Sequence, residues 1–267
     1  MRSLVFTDLD GTLLDHHTYA LGEAAIWLQR LKRAQIPVVI NTSKTATEVH
    51  HLQKTLALQA PFGVENGAAV YYPPSMDCDL PVDGQGWHYE VLGLPAKGML
   101  DFLHSHTHLI KTEILSQMPI EAITQKTGLT PQQAEDAKNR SFSQPFFLLG
   151  GDLAAFEAKA AKAGLAVLKG GRFYHLIAAG QDKGRLLQKV LARYRTRWGE
   201  PVETIALGDS ANDFAMLECA DRAVLVARED GTHAPYDRPG LIKAPRIGPA
   251  GWAWAMEQFV QKGVIDA

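Results

Sequence analysis

The chain of 267 residues sets 27 Lys and Arg against 29 Asp and Glu, a formal net charge of −2, with 46% hydrophobic and 21% charged residues. That mix excludes a disordered chain and lacks the basic excess of a general nucleic-acid binder. Cys78 and Cys219 form neither a metal-like spacing nor a disulfide framework, and no apolar run approaches the roughly 20 residues that span a bilayer, so a cytoplasmic protein with no membrane or nucleic-acid partner is expected.

Leu4-Val5-Phe6, too short for a signal peptide, is a continuous apolar run leading to Asp8 and reads as a strand buried on both faces. Ala24, Ile26, Trp27, Leu28 and Leu31 fit one helix. Pro37-Val38-Val39-Ile40 is a second strand, leading to Thr42, and a helix begins near Thr45. From residue 82 to 178 the pattern is mixed. It has a Gly-rich entry (Asp83-Gly84-Gln85-Gly86), strands near 87–91, 145–149 and 174–177, and helices near 97–106 and 153–162. Thr130-Pro131 reads as a helix start, with Thr130 as N-cap and Pro131 at the first helical position. Leu186, Leu187, Val190 and Leu191 mark a further helix, and Thr204-Ile205-Ala206-Leu207 is a third strand, leading to Asp209. The expected fold is α/β: a doubly wound parallel sheet from residues 1–81 and 179–267, with an α+β unit of residues 82–178 inserted. Ligands of such sheets bind beyond the carboxyl ends of the strands, and here those ends carry Asp8, Thr42 and Asp209.

Asp8 and Asp10 lie two apart after a strand, so in extended backbone their side chains point the same way, and Gly11 then permits a tight turn. Two unpaired carboxylates about 4 Å apart repel by about 4 kcal/mol at an effective dielectric of about 20. A cation must share the site, unless the pair is only an acidic surface turn. Gly208-Asp209-Ser210-Ala211-Asn212-Asp213 opens a helix with Phe214, Met216 and Leu217; alone it reads as a helix cap. Joined to Asp8 and Asp10, Asp209 and Asp213 make a four-carboxylate set that needs a hard cation such as Mg²⁺. Lys183 sits at a helix start, where the dipole favours anions, and makes sense if it points at carboxylates and phosphate. Thr42 and Ser43 offer hydroxyls to phosphate oxygens or cap the following helix. His104, His106 and His108 alternate, but they continue a helical pattern from Met99, Phe102 and Leu103, so no zinc site is expected there.

In this order, Asp8-Leu9-Asp10-Gly11-Thr12, Thr42, Lys183 and Gly208-Asp209-x-x-Asn212-Asp213 resemble the four motifs of the haloacid dehalogenase superfamily, and the insertion resembles the α/β cap of its Cof-like branch. The resemblance implies a Mg²⁺-dependent phosphatase acting on a small phosphorylated metabolite through an aspartyl-phosphate. Asp8 would be the nucleophile and Asp10 the general acid and base. Mg²⁺ would be held by Asp8, the Asp10 carbonyl and Asp209, with Asp213 or Asn212 helping through water. Thr42, Ser43 and Lys183 would bind the phosphoryl group. Asn41-Thr42-Ser43-Lys44-Thr45, Glu65-Asn66-Gly67, Arg140-Ser141-Phe142-Ser143-Gln144-Pro145-Phe146 and Gly171-Arg172-Phe173-Tyr174-His175 further resemble mannosyl-3-phosphoglycerate phosphatases. That likeness implies cap residues Arg140, Ser141, Ser143, Arg172 and His175 against a substrate with carboxylate, phosphate and sugar, Arg forks matching both anions. A monomer or homodimer is expected. A broad sugar-phosphate phosphatase, a phosphomutase and, in another class, a non-catalytic phosphate-binding regulatory module stay open.

Overall fold

The structure, a computed structural model, describes residues 2–76, 78–170 and 173–267. Eight strands form the larger sheet: β1 (Arg2–Thr7), β2 (Val38–Asn41), β3 (Phe62–Val64), β4 (Ala69–Tyr72), β5 (His88–Val91), β10 (Val202–Gly208), β11 (Arg222–Ala227) and β12 (Ile242–Ile247). Their order is β12-β11-β10-β1-β2-β3-β4-β5. The run from β12 to β3 is parallel and the β3-β4-β5 extension is antiparallel.

Side-chain alternation along β1 divides the core in two. Val5 faces α1 (Ala24–Arg33), α2 (Ala46–Leu56) and α9 (Gly248–Gln261), packing in one cluster with Leu28, Val49 and Trp252. Leu4 and Phe6 face α7 (Lys183–Trp198) and α8 (Phe214–Cys219), with Leu187, Val190 and Met216. Helices on both faces make the sheet doubly wound, as the apolar runs predict.

The inserted unit is built on a second, antiparallel sheet of β6 (Ile110–Ile114), β7 (Gln144–Gly151), β8 (Leu165–Lys169) and β9 (Tyr174–Ala178), in the order β6-β7-β9-β8. One face is covered by α3 (Ala96–Ser105) and α6 (Leu153–Lys162), around Met99, Leu103, Phe146 and Phe156. Two short helices, α4 (Ile120–Thr127) and α5 (Pro131–Lys138), pack beside it around Met118, Ile123 and Ala134, with Phe147 and Phe173. Thr130 caps α5 in a capping box with Gln133, and Pro131 opens the helix, as the sequence predicts.

One boundary differs. The strand near 87–91, placed in the inserted unit from sequence, is β5, and it pairs with β4 from Ala69↔Val91 to Tyr72↔His88 as the edge of the larger sheet. The second sheet therefore begins beyond Val91, not at residue 82. A hairpin partner contributed by β4 is what local pattern does not reveal. No described helix is long and apolar enough to cross a membrane.

Candidate active site

The parallel registers set the site. Thr7 on β1 is level with Leu207 on β10 and Ile40 on β2, so the next residues of the three strands emerge side by side. These are Asp8, the Gly208-Asp209 pair and the Asn41-Thr42 pair. Asp8, Asp209 and Asp213 each place one carboxylate oxygen within 4.8 Å of the others, and all three are buried. Lys183, wholly buried at the start of α7, drives its ammonium into this group, with Nζ 2.6 Å from Asp8 Oδ1 and 2.6 Å from Asp213 Oδ1. Asp213 Oδ2 accepts the backbone N–H groups of Asp209 and Ser210, each at 3.1 Å. Thr12 Oγ1 donates to Asp209 Oδ1 at 3.2 Å.

Three buried carboxylates face one ammonium, and the balance shows in their acidities. Burial, relieved in part by Lys183 and worsened by Asp213, pushes Asp8 up to about 7. Burial and the neighbouring Asp213 and Asp8 hold Asp209 well above the ordinary carboxylate range. Burial by itself would lower Lys183, but Asp213 and Asp8 outweigh it and keep the ammonium charged. An all-oxygen, over-charged set of this kind suits a hard divalent cation such as Mg²⁺, which would let both raised aspartates ionise. Asp213, with both oxygens engaged by Lys183 and backbone N–H groups, is the least available of the three.

Asp10 is not a fourth member. Its Oδ2 lies 3.1 Å from Lys44 Nζ, and its Oδ1 is buried without a hydrogen-bond partner. Lys44 also meets Glu48 at 3.4 Å, and these carboxylates outweigh its burial and hold it above its ordinary range. The counter-charge required beside Asp10 thus comes from Lys44, which the sequence reading left unassigned, while Lys183 serves Asp8. Lys44 precedes Thr45, the N-cap whose capping box with Glu48 starts α2. That box fixes Glu48 beside the lysine.

A cleft opens over this centre, with Asp8, Asp10, Lys44 and Asp209 on its core side and Arg140, Phe173 and His175 on the side of the smaller sheet. The sequence model of the haloacid dehalogenase-like hydrolase family matches residues 5–78 and 152–231. A glucosyl-3-phosphoglycerate/mannosyl-3-phosphoglycerate phosphatase of Persephonella marina is 38% identical over 266 residues, covering 97% of this chain and 99% of its own. The chain belongs to the haloacid dehalogenase-like hydrolases. Solved structures agree on the fold. A Thermoplasma acidophilum protein superposes with a TM-score of 0.68 at 17% identity, over 97% of this chain and 99% of its own. A haloacid dehalogenase-like hydrolase of B. subtilis gives 0.65 at 21%, over 95% and 98%. The activity that goes with this family and relative is hydrolysis of a phosphoric monoester.

The remaining predicted residues of this haloacid dehalogenase-like hydrolase separate into two groups. Ser43 lines the cleft, and Thr42 is buried, its Oγ1 accepting the Lys44 N–H at 3.3 Å. Arg140 lines the cleft from the inserted unit, held by Nε to the Ala137 carbonyl (3.1 Å) and by one terminal nitrogen to the Ser43 carbonyl (2.9 Å) and Ser143 Oγ (3.1 Å). His175 lies on the face of β9 opposite Tyr174 and Leu176, which pack with the inserted unit's core. It reaches the cleft 4% exposed, with Nδ1 buried and unpartnered. Burial, then the charges of Arg140 and Lys183, push it down to about 3, so it is neutral.

Ser141 and Ser143 do not line the cleft. The Ser141 N–H and Ser143 Oγ are committed to the Glu65 carboxylate, at 2.9 and 2.6 Å. Arg172 lies outside the described residues. Two of the three alternating histidines hold other partners: His104 Nε2 meets Gln117 at 2.7 Å, and His106 Nδ1 meets the Phe102 carbonyl at 2.9 Å. Among the described residues, Asp8, Asp209 and Asp213 alone form a group of metal-binding side chains.

Proposed function

We propose that the protein removes the phosphate of mannosyl-3-phosphoglycerate, or of its glucosyl counterpart, in a Mg²⁺-dependent reaction through an aspartyl-phosphate on Asp8. The observation that carries the chemistry is the buried Asp8, bridged to Lys183 and set against Asp209 beneath a cleft roofed by Arg140 and His175. The sugar phosphoglycerate is supported by the relative of that name at 38% identity.

In the first step a carboxylate oxygen of Asp8 attacks phosphorus, an Asp8–phosphorus bond forms, and the ester oxygen–phosphorus bond breaks. Asp10 gives its proton to the departing oxygen, which leaves as the sugar-glycerate alcohol. In the second step Asp10 takes a proton from water. The resulting hydroxide attacks phosphorus, releasing inorganic phosphate and regenerating Asp8. Lys183 steadies the carboxylate of Asp8 and, with Ser43 and Thr42, the charge on the phosphoryl oxygens. Lys44 holds Asp10 at the cleft wall through both proton transfers. Mg²⁺ would be held by Asp8, Asp209 and the Asp10 carbonyl, with Asp213 or Asn212 helping through water, and would supply positive charge against the phosphoryl group and keep Asp8 ionised.

Arg140 is the group that suits the glycerate carboxylate, since its fork is pinned at one edge by the Ser43 and Ser143 oxygens. The neutral His175 offers the sugar end a hydrogen-bonding group with no charge to desolvate. The enzyme acts on this small metabolite in the cytoplasm, as a monomer or homodimer. The test is phosphate release, with Mg²⁺ or with chelator, from mannosyl- and glucosyl-3-phosphoglycerate and from simple hexose phosphates. The sugar phosphoglycerates should lead and chelator should stop turnover. Hexose phosphates in the lead would replace this reading with that of a broad sugar-phosphate phosphatase.

A further inference from the structure

The turn that ends β3 is tied both to the loop of Asp209 and Asp213 and to the inserted unit. Glu65, Asn66 and Gly67 are three successive left-handed residues, with φ of 48°, 60° and 87°. Side-chain-bearing residues avoid that conformation. Gly67 admits no side chain at all, because a Cβ there would sit 2.1 Å from the Asp182 carbonyl oxygen. Backbone bonds hold the turn against the core: the Glu65 N–H donates to the Lys44 carbonyl and the Asn66 N–H to the Thr42 carbonyl, both at 2.9 Å. Gln181 Nε2 donates to the Glu65 carbonyl at 2.7 Å.

The outcome is that two neighbouring side chains reach different parts of the molecule. Asn66 Oδ1 accepts Asn212 Nδ2 at 3.1 Å, tying the turn to the loop that carries Asp209 and Asp213. Glu65, 2% exposed, turns to the inserted unit. Its Oε1 accepts the Ser141 N–H at 2.9 Å, and its Oε2 accepts the Phe142 N–H at 3.1 Å and the Ser143 hydroxyl at 2.6 Å. The same Ser143 Oγ accepts Arg140 at 3.1 Å. Among the described residues no Lys, Arg or His forms an ion pair with Glu65. A buried carboxylate met only by neutral donors is costly to keep, and three convergent donors fix the segment that supplies them.

We propose that Glu65 is a positioning residue for the organic half of the substrate. Delivered from the core, it sets the register of residues 141–143 and, through Ser143 Oγ, the placement of the Arg140 guanidinium over the cleft. The inference rests on the reading that the organic part of the ester lies against Arg140. Glu65→Gln keeps the shape but turns an NH₂ group against a donor, since both oxygens of Glu65 are acceptors.

The experiment is a cycle of wild type, Glu65→Gln, Arg140→Ala and the double variant, each assayed for kcat and KM on two esters. One is the ester the wild type prefers in the substrate panel; the other is p-nitrophenyl phosphate, which has no carboxylate. Glu65→Gln should raise KM for the preferred ester about tenfold or more while kcat moves less than about threefold, and p-nitrophenyl phosphate should show no such rise. The double variant should be no worse than Arg140→Ala, because residues that act through one another are not additive. Equal KM rises on both esters, or multiplying effects in the double variant, would overturn the proposal. A wild type preferring some other ester would overturn the proposed substrate and leave the cycle readable on that ester. If Glu65→Gln does not fold, Ser143→Ala removes only the bridging hydroxyl, and the same selective rise and the same non-additivity with Arg140→Ala are required of it.

Discussion

Replacing Lys183 by Met removes the one ammonium among three buried carboxylates and leaves a side chain of similar length. Asp8, raised to about 7 even with Lys183 present, already bears much of the cost of its burial. Asp213, wholly buried and bridged at 2.6 Å, is the residue newly stranded. Breaking a buried ion pair by removing one partner costs about 3–5 kcal/mol, because the other charge is left uncompensated. For a chain of this size that lowers the melting temperature by roughly 10 °C. Thermal unfolding of wild type and Lys183→Met in chelator at pH 7 measures the deficit. A deficit under about 2 °C would refute the electrostatic account of the triad.

Three further outcomes follow from the geometry. Asp8→Asn should cut phosphate release by more than about a thousandfold, since the proposed nucleophile is gone, while melting no lower than wild type in chelator, because a neutral amide replaces a carboxyl whose charge is disfavoured there; near-normal turnover would remove Asp8 from that proposed role. His175 is lowered from 6.5 to about 3, so between those values the unfolded chain holds a proton the fold does not, and stability is lost as pH falls through that window. The loss is about 2 kcal/mol at pH 5, and His175→Gln should abolish it in the difference between the two unfolding curves; parallel curves would contradict a neutral buried His175. Gly67→Ala should unfold or render insoluble the protein, since its new methyl meets the Asp182 carbonyl at 2.1 Å in a left-handed backbone; a soluble variant with wild-type melting would show that the turn yields.

Much of this site is legible in the sequence because its key residues sit at the ends of elements with strong local patterns. Leu4-Val5-Phe6 and Thr204-Ile205-Ala206-Leu207 announce buried parallel strands, and the next residues, Asp8 and Asp209, inherit their positions from the sheet. Lys183 is marked by the helix it begins. What stays hidden is pairing at a distance. Lys44 looks like any lysine before a helix until the fold sets it 3.1 Å from Asp10. Glu65 carries no local signal that it answers residues 141–143, some 76 to 78 positions away. The family resemblance puts Ser141 and Ser143 with Arg140 on the substrate side, but the direction of each donor is set by Glu65. β5 was assigned to the wrong sheet for the same reason, its partner β4 being recognisable only through the hairpin.

The strand order also carries a consequence for how the molecule is made. β1 leaves the ribosome well before β10, which begins at Val202, yet it lies inside the sheet between β2 and β10. For roughly two hundred residues of synthesis one edge of β1 has no native partner, and Leu4 and Phe6 lack α7 to cover them. The inserted unit, whose sheet closes within residues 110–178, completes its own pairing before the larger sheet can. Asp8 and the aspartates at 209 and 213 therefore meet only late in translation. A phosphate ester cannot be attacked by a half-made chain.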